Sequence, residues 1–345
     1  MEPVTHTLAA LMLARAGALR PSPGQAARPD PRATLTLVLA ANAPELDYLS
    51  VLGGTSIYFD YHRTWGHSLA GGVLLGTWVA LAVQRLARGE HRPLAVKALL
   101  APAWLGAGSH LLLDCTTAAG TAWLWPVKAP RYALDWFAFI DPLLLVVLVL
   151  GLALPALFRL IAEEIGARRD ERGKRRGAWV ALAVCLLLAA GRGTLHNAAT
   201  QRLQSRLYAD RTPLRTAALP DPLNPFLWSG FVETGTTYET GGVRLAGETG
   251  PAERFSTHFK PSSSPALERA LATDTARRFL ARARFSYIEV IPAPEAGWRI
   301  HIQDLADLSG RRPRRSFTAW IDLSRGLQVQ RETLFAGRSG EEPPR

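Results

Sequence analysis

The chain has 345 residues, 48 % of them hydrophobic and only 20 % charged, with 40 Lys and Arg against 29 Asp and Glu and a formal net charge of +11. That apolar share excludes a disordered chain, and two cysteines, Cys115 and Cys185, both inside apolar runs, exclude a disulfide scaffold. The basic excess does not point to nucleic acid, because the basic runs flank apolar segments and no basic face interleaved with aromatics accompanies them.

A helix that crosses a bilayer takes about 20 mostly apolar residues. In chain order, Val4–Ala16 and Ala33–Val51 fall short of that length or are interrupted by polar residues, and read as short or half helices. Met1–His6 lacks the basic start of a secretory signal. Four clear spans follow: Trp65–Leu86, Leu94–Leu113, Phe137–Ile161 and Trp179–Gly191, the last with a helical continuation to Leu207. The fragment Gly106-Ala-Gly108 reads as a place of close helix packing.

Basic residues concentrate in alternate connections. Arg15, Arg20, Arg28 and Arg32 lie between the first two segments, and Arg85, Arg88, Arg92 and Lys97 between the third and fourth. Arg168, Arg169, Arg172, Lys174, Arg175 and Arg176 lie between the fifth and sixth. Six crossings with these three loops in the cytoplasm satisfy the bias, which places the start of the chain and its long C-terminal part outside.

From about Ala209 the chain turns polar. Pro220–Pro225 is a loop signature, and the alternating runs Thr236–Leu245, Phe285–Ile291, Trp298–Ile302 and Ser316–Leu323 predict strands around a helix over Pro265–Ala283. The expected architecture is therefore mostly α: a polytopic membrane helix bundle (1–207), a linker (208–225), a small α+β extramembrane domain (226–337) and a frayed tail (338–345). In that domain His258 and His301 read as structural or surface residues.

Ionisable groups at membrane helices are costly and mark function or internal pairing. Here they fall at segment ends: His6, then Glu45 and Asp47, then His62 and His67, then His110 and Asp114, then Asp135 and Asp141. With the basic loops inside, all these ends lie at the outer face and can converge on one site. His110 and Asp114 are i,i+4, about 40° apart on a helix and so on one face. His62 and His67 are too far around for one helical face, so His62 is expected from a loop and His67 from a first helical turn. Imidazole with carboxylate suits Zn²⁺ or Mn²⁺. A proton relay in a transporter uses the same groups.

The motifs Val4-Thr5-His6, Pro44-Glu45-Leu46-Asp47, His62-Arg63-Thr64-Trp65-Gly66-His67-Ser68 and Ser109-His110-Leu111-Leu112-Leu113-Asp114, followed by Gly120 and Pro126, resemble those of the YdjM-like family of bacterial inner-membrane proteins, described as metal-dependent hydrolases. The resemblance covers roughly residues 1–200. Glu45 departs from the family's Asp at that position, so of this element only Asp47 carries over. A distant likeness of the family to zinc phospholipase C and P1 nuclease implies phosphoester hydrolysis.

On this reading His6, Asp47, His62, His67, His110 and Asp114 hold a divalent metal, zinc in the first place and manganese as the alternative. Asp141 or Asp135 serves as a further ligand or general base, and Arg63 clamps a phosphate. Arg192 and His196 support the site from just beyond the last span. The expected substrate is a phosphoester, a membrane lipid or a lipid-linked compound, at the outer face of the cytoplasmic membrane. A transporter or proton-relay protein, or a non-catalytic anchor with a structural metal site, is the alternative.

Overall fold

A computed structural model of the chain describes residues 1–18, 30–87, 95–128, 130–164, 171–247, 255–293, 297–308, 315–338 and 341. Of the basic loops, Arg20, Arg28, Arg88, Arg92, Arg168 and Arg169 lie outside the described residues, as does most of the 338–345 tail. Two compact units emerge.

The first comprises Met1–Ser50, Tyr61–Thr194 and Pro222–Pro225. Helix α1 (Pro3–Leu13) runs into a π turn, Ala14–Ala18, and α2 (Pro31–Asn42) starts at Asp30, whose carboxylate accepts from the Arg32 amide. Pro44 cannot donate to the helical ladder, and from Ala43 to Gly53 the chain continues as a 3₁₀ helix. The combined rod Pro31–Gly53 is long and apolar enough to cross a membrane, which corrects the short-helix reading of Ala33–Val51. Helices α4 (Leu69–Leu86), α5 (Val96–Cys115) and α7 (Glu171–Gln204, through Arg175–Gln204) meet the same condition. Helix α6 (Pro142–Glu164) carries a shorter apolar stretch, Pro142–Phe158; the expected span Phe137–Ile161 becomes helical only at Pro142.

Bundle packing follows membrane rules, in which small residues let backbones approach. Ala10, Ala14, Ala33, Ala40, Ala41, Ala80 and Ala103 dominate the seam between α1, α2, α4 and α5. A Cβ on Gly106 would stand 2.3 Å from the Leu37 carbonyl oxygen, so α5 needs glycine there to lie against α2. On the other side, α1 packs with α6 and α7 through Met12, Leu144, Leu148 and Ala181. Outward-facing Leu74, Trp78, Phe158, Leu186 and Leu187 are exposed, as expected of side chains that face lipid.

The second unit comprises Val51–Asp60, Leu195–Asp221 and Phe226–Arg345. It contains two four-stranded antiparallel sheets in simple meander order. One is β1 (Arg215–Pro220), β2 (Leu227–Glu233), β3 (Thr237–Arg244) and β4 (Phe255–Phe259). The other is β5 (Ser286–Ala293), β6 (Gly297–Asp304), β7 (Arg315–Leu323) and β8 (Val329–Arg338). Strand β1 thus lies within the run read as a linker. The helix expected over Pro265–Ala283 is two, α8 (Pro265–Leu271) and α9 (Asp274–Leu280), because Thr273 caps a fresh start by accepting from the Ala276 amide. Most of helix α3 (Thr55–Tyr61), a segment from between the early membrane helices, also belongs here. Phe59 is buried with Ala270, Phe279, Ile300 and Ile321, its ring 5.9 Å from Phe279 and 5.1 Å from Phe317.

Candidate metal centre

The first unit brings its polar residues together at helix ends. His6 sits in the first turn of α1, Asp47 in the 3₁₀ continuation of α2, and His110 and Asp114 in the last turns of α5. His62 and Arg63 follow α3 in a turn, and His67 occupies a second turn just ahead of Ser68, the N-cap of α4. His67 therefore precedes the helix, where the sequence placed it in the first turn. The Ser68 hydroxyl accepts from the Gly71 amide at 3.0 Å, and a Cβ on Gly71 would collide with the Trp65 carbonyl at 1.8 Å. That close approach fixes the turn that carries His67.

Asp114 lies at the middle. Its Oδ1 is 3.4 Å from His6 Nε2, and its Oδ2 is 3.4 Å from His67 Nε2, 3.6 Å from His110 Nε2 and 3.1 Å from Arg63 Nη1. The Met1 backbone nitrogen also contacts Asp114 Oδ1. The His6 and His110 rings stack at 3.9 Å, and the His67 ring meets His110 edge-on at 4.9 Å. His110 Nδ1 lies 2.8 Å from the Ala41 carbonyl. A carbonyl can only accept, so it holds the proton on Nδ1 and turns the Nε2 lone pair into the cluster. Ligand atoms of His6, Glu45, His110 and Asp114 all lie within 4.8 Å of one another.

Glu45 is the member that sequence reasoning left out. It shares a 3₁₀ turn with Asp47, and a second acid two residues before that expected ligand was the available signal.

A second layer adjoins this group. Asp47 Oδ1 is 2.8 Å from His62 Nδ1, and its Oδ2 is 3.2 Å from His67 Nδ1 and accepts from the Arg63 amide at 2.6 Å. His67 thus faces Asp47 with one nitrogen and Asp114 with the other, joining the layers. His62 contacts Asp47 and stands outside the four-ligand group. Arg63 is buried beside Asp114 with its guanidinium 5.8 Å over the Phe139 ring, and its backbone φ of 59° is unusual for a side chain of this bulk.

Two further acids are placed elsewhere. Asp141 caps α6: its Oδ1 accepts from the Leu143 and Leu144 amides, and its Oδ2 from Arg192 Nη2 at 2.9 Å. With both oxygens engaged it is a structural pair with Arg192. Asp135, buried with φ 56°, lies between Leu134 and Trp136, whose amides bond the Cys115 and Thr116 carbonyls at the end of α5. It is not among the clustered ligands. His196 is 5.6 Å from the Trp228 ring in the second unit.

The fit to a metal rests on unmet hydrogen bonding. His6 Nδ1 and Nε2, His67 Nδ1 and Nε2, His110 Nε2, Asp114 Oδ2 and both Glu45 oxygens are buried without a hydrogen-bond partner of proper geometry among the described residues. Buried polar atoms are nearly always satisfied, and so many orphans of metal-ligating type in one place match a cation that binds lone pairs.

The comparison with known families agrees with these motifs: the sequence profile described as YdjM inner membrane protein matches residues 1–199. The chain belongs to this family. It is accordingly a membrane protein, and every residue of the centre lies inside the matched region. No curated protein and no solved structure matches the chain.

Proposed function

We propose that this YdjM family member is a metal-dependent hydrolase of the cytoplasmic membrane, acting on a phosphoester or lipid-linked substrate. The observation that carries the proposal is the convergence of buried, unsatisfied imidazole and carboxylate atoms at one end of the helices. His6, Glu45, His110 and Asp114 would hold the ion, with His67 able to join them. A bound divalent cation would bring the pKa of water near neutrality and stabilise negative charge developing on the substrate. With Asp47 holding its Nδ1, His62 would pass a proton through Nε2 and take the general-base role, Asp141 being paired with Arg192. Arg63, buried beside Asp114, supplies positive charge for a phosphoryl group.

The ends of the segments also favour hydrolase over transporter. A relay is expected near the bilayer midplane, whereas His6 opens α1, His67 precedes α4 and Asp114 closes α5. With the basic connections in the cytoplasm, the centre opens at the outer face, where lipid headgroups are within reach.

The test is elemental analysis of detergent-purified protein. Wild type should carry near-stoichiometric zinc or manganese, and His67→Ala/His110→Ala should lose it while still purifying as a folded protein. Wild-type protein that stays metal-free after reconstitution with both ions refutes the proposal.

A further inference from the structure

The second unit holds a cavity of about 470 Å³, bordered by Arg206, Tyr208, Glu239, Phe255 and Thr257 together with their backbone neighbours. Its polar floor is Glu239, on β3. Alternation along this strand turns Thr237, Glu239 and Val243 inward, and a carboxylate at such a position demands compensation. Half of that is local: Thr257, the residue paired with Glu239 across β3 and β4, donates its hydroxyl to Oε2 at 2.7 Å. The other oxygen, Oε1, is buried and has no hydrogen-bond partner among the described residues, although Glu239 is only 4 % exposed.

The walls are aromatic. Tyr208 and Phe255 meet edge to face at 5.2 Å, the Arg206 guanidinium lies 5.3 Å over the Phe255 ring, and the Tyr208 hydroxyl donates to the Leu203 carbonyl. Burial, reinforced by the Glu239 charge against the pull of Arg206, pushes the Tyr208 phenol up to about 12, so it stays a neutral donor already directed elsewhere. None of these groups hydrogen-bonds Glu239 Oε1.

We propose that this cavity binds a small organic ammonium compound, its protonated amine donating to Glu239 Oε1. The chemistry selects this class. The buried carboxylate repels an anion, and the Arg206 guanidinium that would offset it is held over the Phe255 ring. A hard metal ion needs six or more oxygen ligands, and the cavity offers one carboxylate oxygen without a hydrogen bond, beside aromatic rings and the Arg206 guanidinium. A protonated amine supplies a charge-assisted hydrogen bond, and its carbon skeleton suits walls of Tyr and Phe.

The experiment is calorimetric titration of the full chain in detergent with matched pairs: glucosamine against N-acetylglucosamine, and ethanolamine against ethylene glycol. The amines should bind at least about tenfold more tightly than their neutral partners, the worth of one charge-assisted hydrogen bond. Glu239→Gln should erase the difference while melting like wild type. Equal binding within each pair, no binding of either amine, or an unchanged preference in Glu239→Gln overturns the proposal, leaving ordered water as the partner of Oε1. If that variant does not fold, the matched pairs on wild type decide alone. To separate a lipid headgroup from a free amine, glucosamine binding is competed with phosphatidylcholine vesicles with and without phosphatidylethanolamine. Competition only by the vesicles that contain phosphatidylethanolamine assigns the site to a headgroup, since a quaternary ammonium cannot donate; no competition assigns it to a water-soluble amine. Metal content reports the other centre independently.

Discussion

Asp114 and Asp141 are both buried carboxylates at helix ends, and their surroundings set them apart. Asp141 has a donor on each oxygen, from the first turn of α6 and from Arg192. Asp114 is ringed by His6, His67 and His110, with the Met1 nitrogen against its Oδ1 and Arg63 Nη1 3.1 Å from its Oδ2, an oxygen that has no hydrogen bond of proper geometry. A satisfied buried pair stabilises a fold, whereas a buried carboxylate oxygen that lacks a proper hydrogen bond among imidazoles suits the proposed ligand role. The two therefore fail differently when altered. Arg192→Met strands the Asp141 charge, which should cost about 3–5 kcal/mol, seen as a lower thermal midpoint in detergent with metal content unchanged. Asp114→Asn should lose the metal instead. A normal melt for Arg192→Met, or metal lost with it, would contradict the structural role given to Asp141.

Helix α5 meets α2 so closely that glycine is required at one point and indifferent two residues later. A Cβ on Gly106 would lie 2.3 Å from the Leu37 carbonyl and 3.0 Å from the Ala41 amide, both backbone atoms that cannot yield, whereas one on Gly108 would meet nothing within 4 Å. The same seam carries the hydrogen bond from His110 Nδ1 to the Ala41 carbonyl. Gly106→Ala should thus destabilise the bundle by about 1–3 kcal/mol. By shifting the acceptor that orients His110, it should also weaken metal affinity roughly 10–100-fold. Gly108→Ala should change neither, and chelator competition with a thermal melt reads both.

Sequence alone marked Gly106-Ala-Gly108 as a packing site but had no means of choosing between the glycines, because the choice depends on which face meets α2. For the same reason the local motifs around His62, His67, His110 and Asp114 were readable from spacing. The Asp141–Arg192 pair, 51 residues apart in the chain, and the approach of Glu45 to His6 were not. In the second unit, β1 hides in a proline-rich stretch, and Phe59 joins a core whose other members lie about two hundred residues later. No periodicity reports such long-range partners.

For the whole molecule, the uneven placement of charge bears on which side of the membrane the proposed chemistry would occur. The basic residues near the ends of α4 and the start of α7, such as Arg85, Arg175 and Arg176, belong to connections that the charge bias assigns to the cytoplasm. Ligand-bearing ends alternate with them: the start of α1, the end of the α2 rod, the turn before α4 and the end of α5. The expectation that the C-terminal part lies outside requires α6 and α7 each to cross after the α5 end; a single crossing there would reverse it.

Single cysteines in a Cys115→Ala/Cys185→Ala background test this. Lys128→Cys, in the connection between α5 and α6, and Ser262→Cys, in the C-terminal unit, occupy exposed positions, as does Arg85→Cys at the opposite end of α4. In intact spheroplasts a membrane-impermeant maleimide should label positions 128 and 262, and label position 85 only after permeabilisation. The reverse pattern would turn the metal centre to the cytoplasm and remove the extracytoplasmic lipid-linked substrates from consideration. Labelling of 128 without 262 would show that α6 and α7 do not both cross, and would separate the C-terminal unit from the side on which the centre works.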